Sequence, residues 1–425
     1  MYFDKLYRIL KNKELSVVKG NFFYLLLINI SNFLLPLITF PYLVITIGVE
    51  KFGFLSFVTS IITYFLVFTD YGFNLTATRL VSINRSNNDK VSEIFSSVIT
   101  LKMALFFASF IVLSLLILIV PKFQEYSFVY LINFGMVLGQ VIFPIWFFQG
   151  IEKMKIISIL NVSSKILFTI GVFILVKKEN DFYIVPMLSS LGSLLVGVIS
   201  LFIIRLKYNI RFNFQSLGKL IFYLKDGWHI FISNISVTLY TTFTVTLLGL
   251  FTNNTIVGVY SIADRIISAI RSLITPISQS LYPYLCKISI DNPKKVLEFN
   301  RKLLFILAPI FLLASVTLFF SAELVIKLLF GDNGVESVKV LKILSIIPFI
   351  ILLHIIYALF TMLVLNKNKE YSRIIISAAV INIFLSYFLI KNYGHIGAAI
   401  SIVTIEFYLF LRYFIYTFKN KMRII

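Results

Sequence analysis

The sequence predicts an all-α polytopic membrane protein, with twelve transmembrane helices in two six-helix lobes related by a parallel repeat. Three observations predict it. Of 425 residues, 59% are hydrophobic and only 14% charged, against about 25% charged in an ordinary soluble chain. The apolar residues fall in continuous runs of roughly twenty or more, the length of helix that spans a bilayer. Basic residues gather in alternate loops, as cytoplasmic loops do. A soluble fold could not cover that apolar surface with so few charges. Barrel strands would alternate apolar and polar residues in short segments, and these runs do not.

In chain order, residues 1–21 come first, a cytoplasmic N-terminal segment. There Tyr2, Phe3, Leu6, Ile9 and Leu10 alternate with Lys5, Arg8, Lys11 and Lys13, as in a short helix lying in the membrane interface. The run that follows is too long for a cleavable signal and stays as the first span. The N-lobe, 22–204, holds spans 22–47, 53–75, 94–120, 127–149, 156–176 and 182–204. A cytoplasmic linker, 205–227, sets Leu217, Leu220, Ile221 and Leu224 against Lys219 and Lys225, a second interfacial pattern. The C-lobe, 228–416, holds spans 228–251, 257–284, 303–320, 338–364, 372–390 and 396–416, and 417–425 form a cytoplasmic tail. With these spans, one set of loops carries 26 Lys and Arg and the alternate set only 6: Lys51, Lys122, Lys177, Lys178, Lys327 and Lys391. Both termini are then cytoplasmic, and the net charge of +20 belongs to loops facing the cytoplasm, not to a nucleic-acid site. A single cysteine, Cys286, excludes disulfides and thiolate metal sites.

The halves resemble each other. An offset of 205 lays 21–66 on 226–271 without a gap and matches ten positions. They include the triplet Asn29/Asn234, Ile30/Ile235, Ser31/Ser236 and the pairs Gly53/Gly258 and Ser56/Ser261. Six spans per half bring both halves in from the same side, so the repeat is parallel about an axis along the membrane normal. Two such bundles leave a central cleft, where a substrate would bind.

Charges inside the spans nominate the site. An ionisable group near the bilayer centre costs at least ~3 kcal/mol, so it faces the bundle interior or water. Lys102, Lys165, Arg265 and Arg271 lie deep in spans three, five and eight, whereas Lys339, Lys342 and Arg412 lie close enough to helix ends to snorkel. The acidic residues within spans are Asp70, Asp264 and Glu406. Asp264, Ser268 and Arg271 share one helical stripe. Four deep cations against three carboxylates make a cationic cleft that suits an anionic substrate, unless the charges pair with one another structurally. Pro36 and Pro41 interrupt the first span, and Pro276 and Pro283 the eighth, as hinges or as static kinks.

Several chemistries are absent from the sequence. No phosphate-binding loop of the G-x-x-x-x-G-K-[ST] type occurs, and His229, His354 and His395 are scattered outside any H-E-x-x-H motif. No catalytic residue, metal site or cofactor is expected. A membrane-embedded polymerase or ligase would place catalytic acids in a large outer loop. The largest here, 321–337, offers only Glu323, Asp332 and Glu336.

Three motifs carry a resemblance. The first is Phe143-Pro144-Ile145-Trp146-Phe147-Phe148-Gln149-Gly150-Ile151-Glu152-Lys153-Met154. The second is Asn21-Phe22-Phe23 leading to Leu34-Leu35-Pro36-Leu37-Ile38-Thr39-Phe40-Pro41-Tyr42-Leu43. The third is Gly48-Val49-Glu50-Lys51-Phe52-Gly53 with Thr69-Asp70-Tyr71-Gly72-Phe73-Asn74. With these the chain resembles the O-antigen and polysaccharide repeat-unit flippases of the multidrug/oligosaccharidyl-lipid/polysaccharide exporter superfamily. The resemblance is densest before residue 155. It implies outward transfer of an undecaprenyl-pyrophosphate-linked oligosaccharide across the bacterial inner membrane without ATP, with a polysaccharide polymerase as a partner. On that reading Lys165, Arg265, Arg271 and Lys102 would meet the pyrophosphate. Asp70, Asp264 and Glu406 would couple transport to protons or sodium, and the polyprenyl tail would stay among the membrane lipids. The alternatives are a flippase for the peptidoglycan lipid precursor, which usually has further spans, and a cation-coupled drug or metabolite exporter, which a basic cleft disfavours.

Overall fold

In the computed structural model, described for residues 13–420, 422 and 424, every regular element is helical. The expected N-terminal interfacial helix of Tyr2 to Leu10 lies outside the described residues. Eight helices are long and apolar enough to cross a membrane, or nine counting the bent pair Leu217–Thr241 and Phe243–Phe251 as one span. Two of them are continuous through more than one expected span. Lys13–Asp70 breaks only at Gly48 (φ 78°, ψ 162°), and Asn368–Lys419 only at Gly394 (φ 55°, ψ −129°). Those glycine-favouring dihedrals let the chain kink there without a loop. The helix Asn254–Asp291, which carries Asp264, Arg265 and Arg271, is too polar to be counted among the eight.

The helix ends follow local chemistry. Asn87, Asn253 and Asn292 accept from the backbone N–H groups of Lys90, Ile256 and Lys294, satisfying donors that the first helical turn leaves open. Pro293 follows Asn292 as the first helical residue, where its missing N–H costs nothing. Asp181 Oδ2 takes the N–H groups of Lys177 and Lys178 at 2.9 and 3.1 Å, closing the short connection before Ile184–Tyr208.

The chain forms two compact units, each with its own core. The first comprises residues up to Leu35, Tyr64–Leu175 and Tyr183–Ile232. Its core gathers Phe73, Ala77, Val81, Phe95, Trp146, Phe147 and Phe148. Small residues let helices touch: Ser190 Oγ donates to the Ile132 carbonyl at 2.6 Å, and a Cβ on Gly139 would lie 2.5 Å from the Ser193 carbonyl carbon. The linker docks on this unit. Arg79 binds both oxygens of Asp226 at 2.8 and 3.0 Å, Lys219 reaches Glu93 at 2.7 Å, and Ser92 and Ser96 accept the N–H groups of Arg211 and Asn213.

The second unit comprises Pro36–Thr63, Val176–Phe182 and Ser233 onward. The segment 36–63 belongs here because it packs against 243–261 at glycines, backbone to backbone at Gly53 and Gly258 and ring to backbone at Gly249. A Cβ on Gly53 would lie 2.4 Å from the Gly258 nitrogen, one on Gly258 2.1 Å from the Val49 carbonyl oxygen, and one on Gly249 2.0 Å from the Phe57 ring. Gly53 and Gly258 are a matched pair of the sequence repeat, so the repeat brings its own glycines together. A second cluster, including Leu285, Leu304, Tyr357, Phe360, Ile405 and Leu409, fills the rest of the unit.

Outside the cores, Leu118, Ile119, Phe202, Leu206, Phe320 and Leu328 are exposed, each more than half of its surface. Exposure on that scale fits a surface solvated by lipid rather than by water. The orientation is a prediction. Reporter fusions after Arg85 and after Arg211 should read cytoplasmic, and fusions at Asn180 and Asn253 extracytoplasmic. An Asn253 fusion that reads cytoplasmic contradicts both the span count and the parallel repeat.

Candidate functional site

In the first unit, Lys102 is 1% exposed and its Nζ lies 3.5 Å from Asp70 Oδ1. Asp70 ends the long first helix, and Tyr71 (φ 49°) and Gly72 (φ 79°) turn the chain out of it. A carboxylate there meets the negative end of the helix dipole, which disfavours it. The Lys102 ammonium offsets that cost, and each charge is the other's reason for being buried. Lys165 has a different neighbour. Its Nζ donates to Asn32 Oδ1. It borders a cavity of about 370 Å³ lined by the polar groups Gln140, Asn161, Ser164, Ser189 and Ser193 and by Leu66, Met136, Phe143 and Phe168.

In the second unit, the Arg265 guanidinium lies over the Phe40 ring, 4.4 Å from its centroid. With Asp264 it closes a cavity of about 170 Å³ whose other walls are Ser56, Thr59, Ser60, Thr63, Thr241, Thr242, Val245 and Ser261. The hydroxyls of Thr59, Ser60, Thr63 and Thr241 donate to carbonyls one turn back in their own helices. Each has thereby used its one proton, so toward the cavity it can only accept, and Ser60 already accepts from Thr246. Ser56 and Ser261 are another matched pair of the repeat, now on one wall.

Arg271 turns elsewhere. Its Nη2 lies 3.0 Å from Glu406 Oε1, and His354 Nδ1 lies 3.0 Å from Glu406 Oε2. The Glu406 side chain is 3% exposed. His354 Nε2 also contacts the Glu406 carbonyl oxygen at 2.7 Å.

The deep cations therefore divide. Lys102 and Arg271 are bound to carboxylates, whereas Lys165 and Arg265 have no carboxylate within ion-pair distance among the described residues. The stripe joining Asp264 to Arg271 does not become an ion pair; Glu406, from a distant span, takes the guanidinium. Lys342 and Arg412, expected to snorkel, lie over the Phe319 and Tyr408 rings. Pro36 and Pro41 sit inside the first helix, whose break falls at Gly48 instead. Pro283 lies within Asn254–Asp291, and the Pro276 side chain is outside the described residues. His354, Asn32 and the hydroxyl wall were not singled out from sequence. A lone His in an apolar run and Ser/Thr in a helix carry no pattern that marks them.

A family model described as "Polysaccharide biosynthesis protein" matches residues 18–289. A protein of Escherichia coli (strain K12) named "Putative O-antigen transporter" is 34% identical over 389 residues, covering 92% of this chain and 94% of its own. A Shigella dysenteriae protein of the same name is 28% identical over 395 residues, covering 92% and 97%. Among solved structures, the lipid II flippase MurJ in an inward closed conformation aligns with a TM-score of 0.71 at 15% identity, over 96% of this chain and 87% of its own. An inward-facing multidrug resistance MATE family transporter of the MOP superfamily aligns with 0.71 at 14%, over 92% and 94%. At that identity the two structures speak for the fold.

Proposed function

We propose a transport function for the chain from one premise: it belongs to the polysaccharide biosynthesis protein family. The cargo is an undecaprenyl-pyrophosphate-linked oligosaccharide repeat unit, carried from the cytoplasmic to the outer face of the bacterial inner membrane by alternating access. The observation that carries this reading is that two deep cations, Lys165 and Arg265, have no carboxylate partner among the described residues and each borders a cavity lined with amides or hydroxyls. An ammonium acts on phosphate as a point charge, and a guanidinium can grip two of its oxygens at once. Hydroxyl and amide walls suit a glycan, whose groups both donate and accept. Lys102 and Arg271 support the site as partners of Asp70 and Glu406. A proton or sodium gradient supplies the energy through the buried carboxylates, Glu406 first among them, and the polyprenyl tail stays in lipid. The relatives named as transporters are in keeping with a carrier rather than an enzyme.

Removing the chain from its host tests the reading. Lipid-linked repeat units should accumulate in the cytoplasmic leaflet and surface polysaccharide should be lost, both restored by the chain supplied in trans. Unchanged polysaccharide would reject it.

A further inference from the structure

We propose that the hydroxyl-lined cavity of the second unit is a sugar subsite, in which Asp264 accepts hydrogen bonds from the hydroxyls of the sugar joined to the pyrophosphate. The identity of the cargo rests on the transport reading above; the chemistry of the subsite rests on what its walls can donate and accept.

Three helical faces build the cavity, all within one compact unit. Ser56, Thr59, Ser60 and Thr63 recur at i, i+3, i+4 and i+7, so they share one face of Lys13–Asp70. Ser261, Asp264 and Arg265 recur at i, i+3 and i+4 on Asn254–Asp291. Thr241 and Thr242 stand at the bend between Leu217–Thr241 and Phe243–Phe251. The first two faces touch at Gly53 and Gly258, three residues before Ser56 and Ser261. Thr246 Oγ1 donates to Ser60 Oγ at 3.0 Å and ties in the third. The cavity, about 170 Å³, opens beyond those close contacts.

Its walls are rich in acceptors. Thr59, Ser60, Thr63 and Thr241 have given their protons to carbonyls of their own helices. An ionised Asp264 only accepts, and no hydrogen bond from a described residue reaches it; what acts on it is the charge of Arg271 and Arg265. Ser261 is 3% exposed, and its Oγ has no hydrogen-bond partner among the described residues. The strong donor is Arg265, over the Phe40 ring. The cavity therefore calls for a ligand that brings donors of its own. Asp264 and Arg265 are the charged residues among those lining it, so its wall is neutral in sum. A cation inside would meet the guanidinium and an anion the carboxylate, whereas a neutral polyol meets neither objection. Size agrees. Water occupies about 30 Å³ in the liquid, so the space takes several water-sized groups, as one sugar ring presents. A bare metal ion needs oxygens touching it on every side.

Neighbouring positions decide which sugar enters. Arg265 follows Asp264 directly, so a phosphate held by the guanidinium brings the sugar bonded to it to the carboxylate. The two Asp264 oxygens can accept from hydroxyls on adjacent carbons. A site built to pair with a hydroxyl rejects an analogue that lacks it, because its own polar groups are then left unpaired. Asp264 is thus a specificity-determining residue for the cargo.

Binding to the purified full chain in lipid nanodiscs tests the subsite with two probes. One is undecaprenyl pyrophosphate alone, and the other carries in addition the first sugar of the host's repeat unit. Wild type should prefer the glycosylated lipid by about tenfold or more, the effect of a hydrogen bond to a charged group. In Asp264→Ala the ratio of the two affinities should fall to about one, since the carboxylate acceptors are gone. Thr59→Val with Thr63→Val keeps the shape of the wall, removes two acceptors and should lower the ratio in part; should Asp264→Ala fail to fold, this variant decides alone. Arg265→Ala should weaken both lipids and leave the preference standing. A wild type that binds both lipids equally, or a preference that the Asp264 and threonine variants leave intact, would overturn the subsite and spare the transport reading. Stabilisation of wild type by sodium over potassium chloride, lost in Asp264→Ala, would give the cavity to a cation and overturn it too. A wild type that binds neither lipid would reject the transport reading itself, and the subsite with it.

Discussion

Lys102→Met should sharply lower the amount of folded protein in the membrane. The substitution keeps most of the side chain's volume and removes only the charge, at a position 1% exposed. Asp70 would be left buried, at the negative end of its helix and without its counter-ion. Breaking one side of a buried ion pair costs about 3–5 kcal/mol, because the surviving charge stays desolvated. Most proteins have only about 5–15 kcal/mol of stability to lose. Removing both charges differs in kind. Asp70→Asn with Lys102→Met leaves no uncompensated charge and should recover most of the stability, since neutral replacement of a buried pair is often nearly free. Thermal unfolding of the purified variants, read by fluorescence-detected size exclusion, measures the order: wild type close to the double variant, both well above Lys102→Met. A double variant as unstable as the single one would show that the pair is not what burial of Lys102 depends on. A stable double variant that no longer supports surface polysaccharide would move Asp70 from a structural partner to the coupling machinery.

The architecture was legible because lipid imposes it. Continuous apolar runs arise from the cost of exposing backbone and charge to hydrocarbon. Two pairs of positions that the sequence offset matches lie together in space: Gly53 against Gly258, and Ser56 with Ser261 around one cavity. Glycine and serine were informative because backbone contact and a polar wall constrain residue type more tightly than apolar burial does. Hydropathy could not say how the chain divides. The stretch 36–63, where the first two expected spans meet, belongs to the second unit through glycine contacts that a run of apolar letters does not display. The aromatic run at 146–148 suits an interfacial anchor by composition, yet Trp146, Phe147 and Phe148 are at most 1% exposed and pack on Phe73, Ala77 and Val81. Composition cannot separate a ring at the interface from one in the core.

The site divided along the same line. Depth in a span was readable for Lys102, Lys165, Arg265 and Arg271, and so was the short supply of carboxylates. Which cation meets which carboxylate depends on the rotation of each helix about its axis, and a charge in an apolar run does not reveal that. In sequence, Arg271 shares a stripe with Asp264. The rotation of the last span gives it to Glu406 instead, leaving Arg265 over Phe40 at the hydroxyl-lined cavity. His354 gave no signal at all, because its partner lies 52 positions away.

The central proposal is that Lys165 and Arg265 each contribute a charge to binding the anionic head of the cargo. Each charge-assisted contact to phosphate should be worth ~1.5–3 kcal/mol, or roughly ten- to a hundredfold in affinity. The two residues share no partner among the described contacts, so their effects should add, to about a hundred- to ten-thousandfold. Arg265→Lys should keep part of the activity, since the charge survives while the two-point grip is lost. Neither side chain neutralises a buried carboxylate by direct ion pairing, so alanine at both should spare the fold far more than Lys102→Met does. The most direct test is the leaflet distribution of lipid-linked repeat units, with surface polysaccharide, in the Lys165→Ala, Arg265→Ala double variant at matched membrane protein level. The account predicts repeat units held in the cytoplasmic leaflet and surface polysaccharide close to that of a strain lacking the chain. Normal distribution and normal polysaccharide in that variant would contradict it.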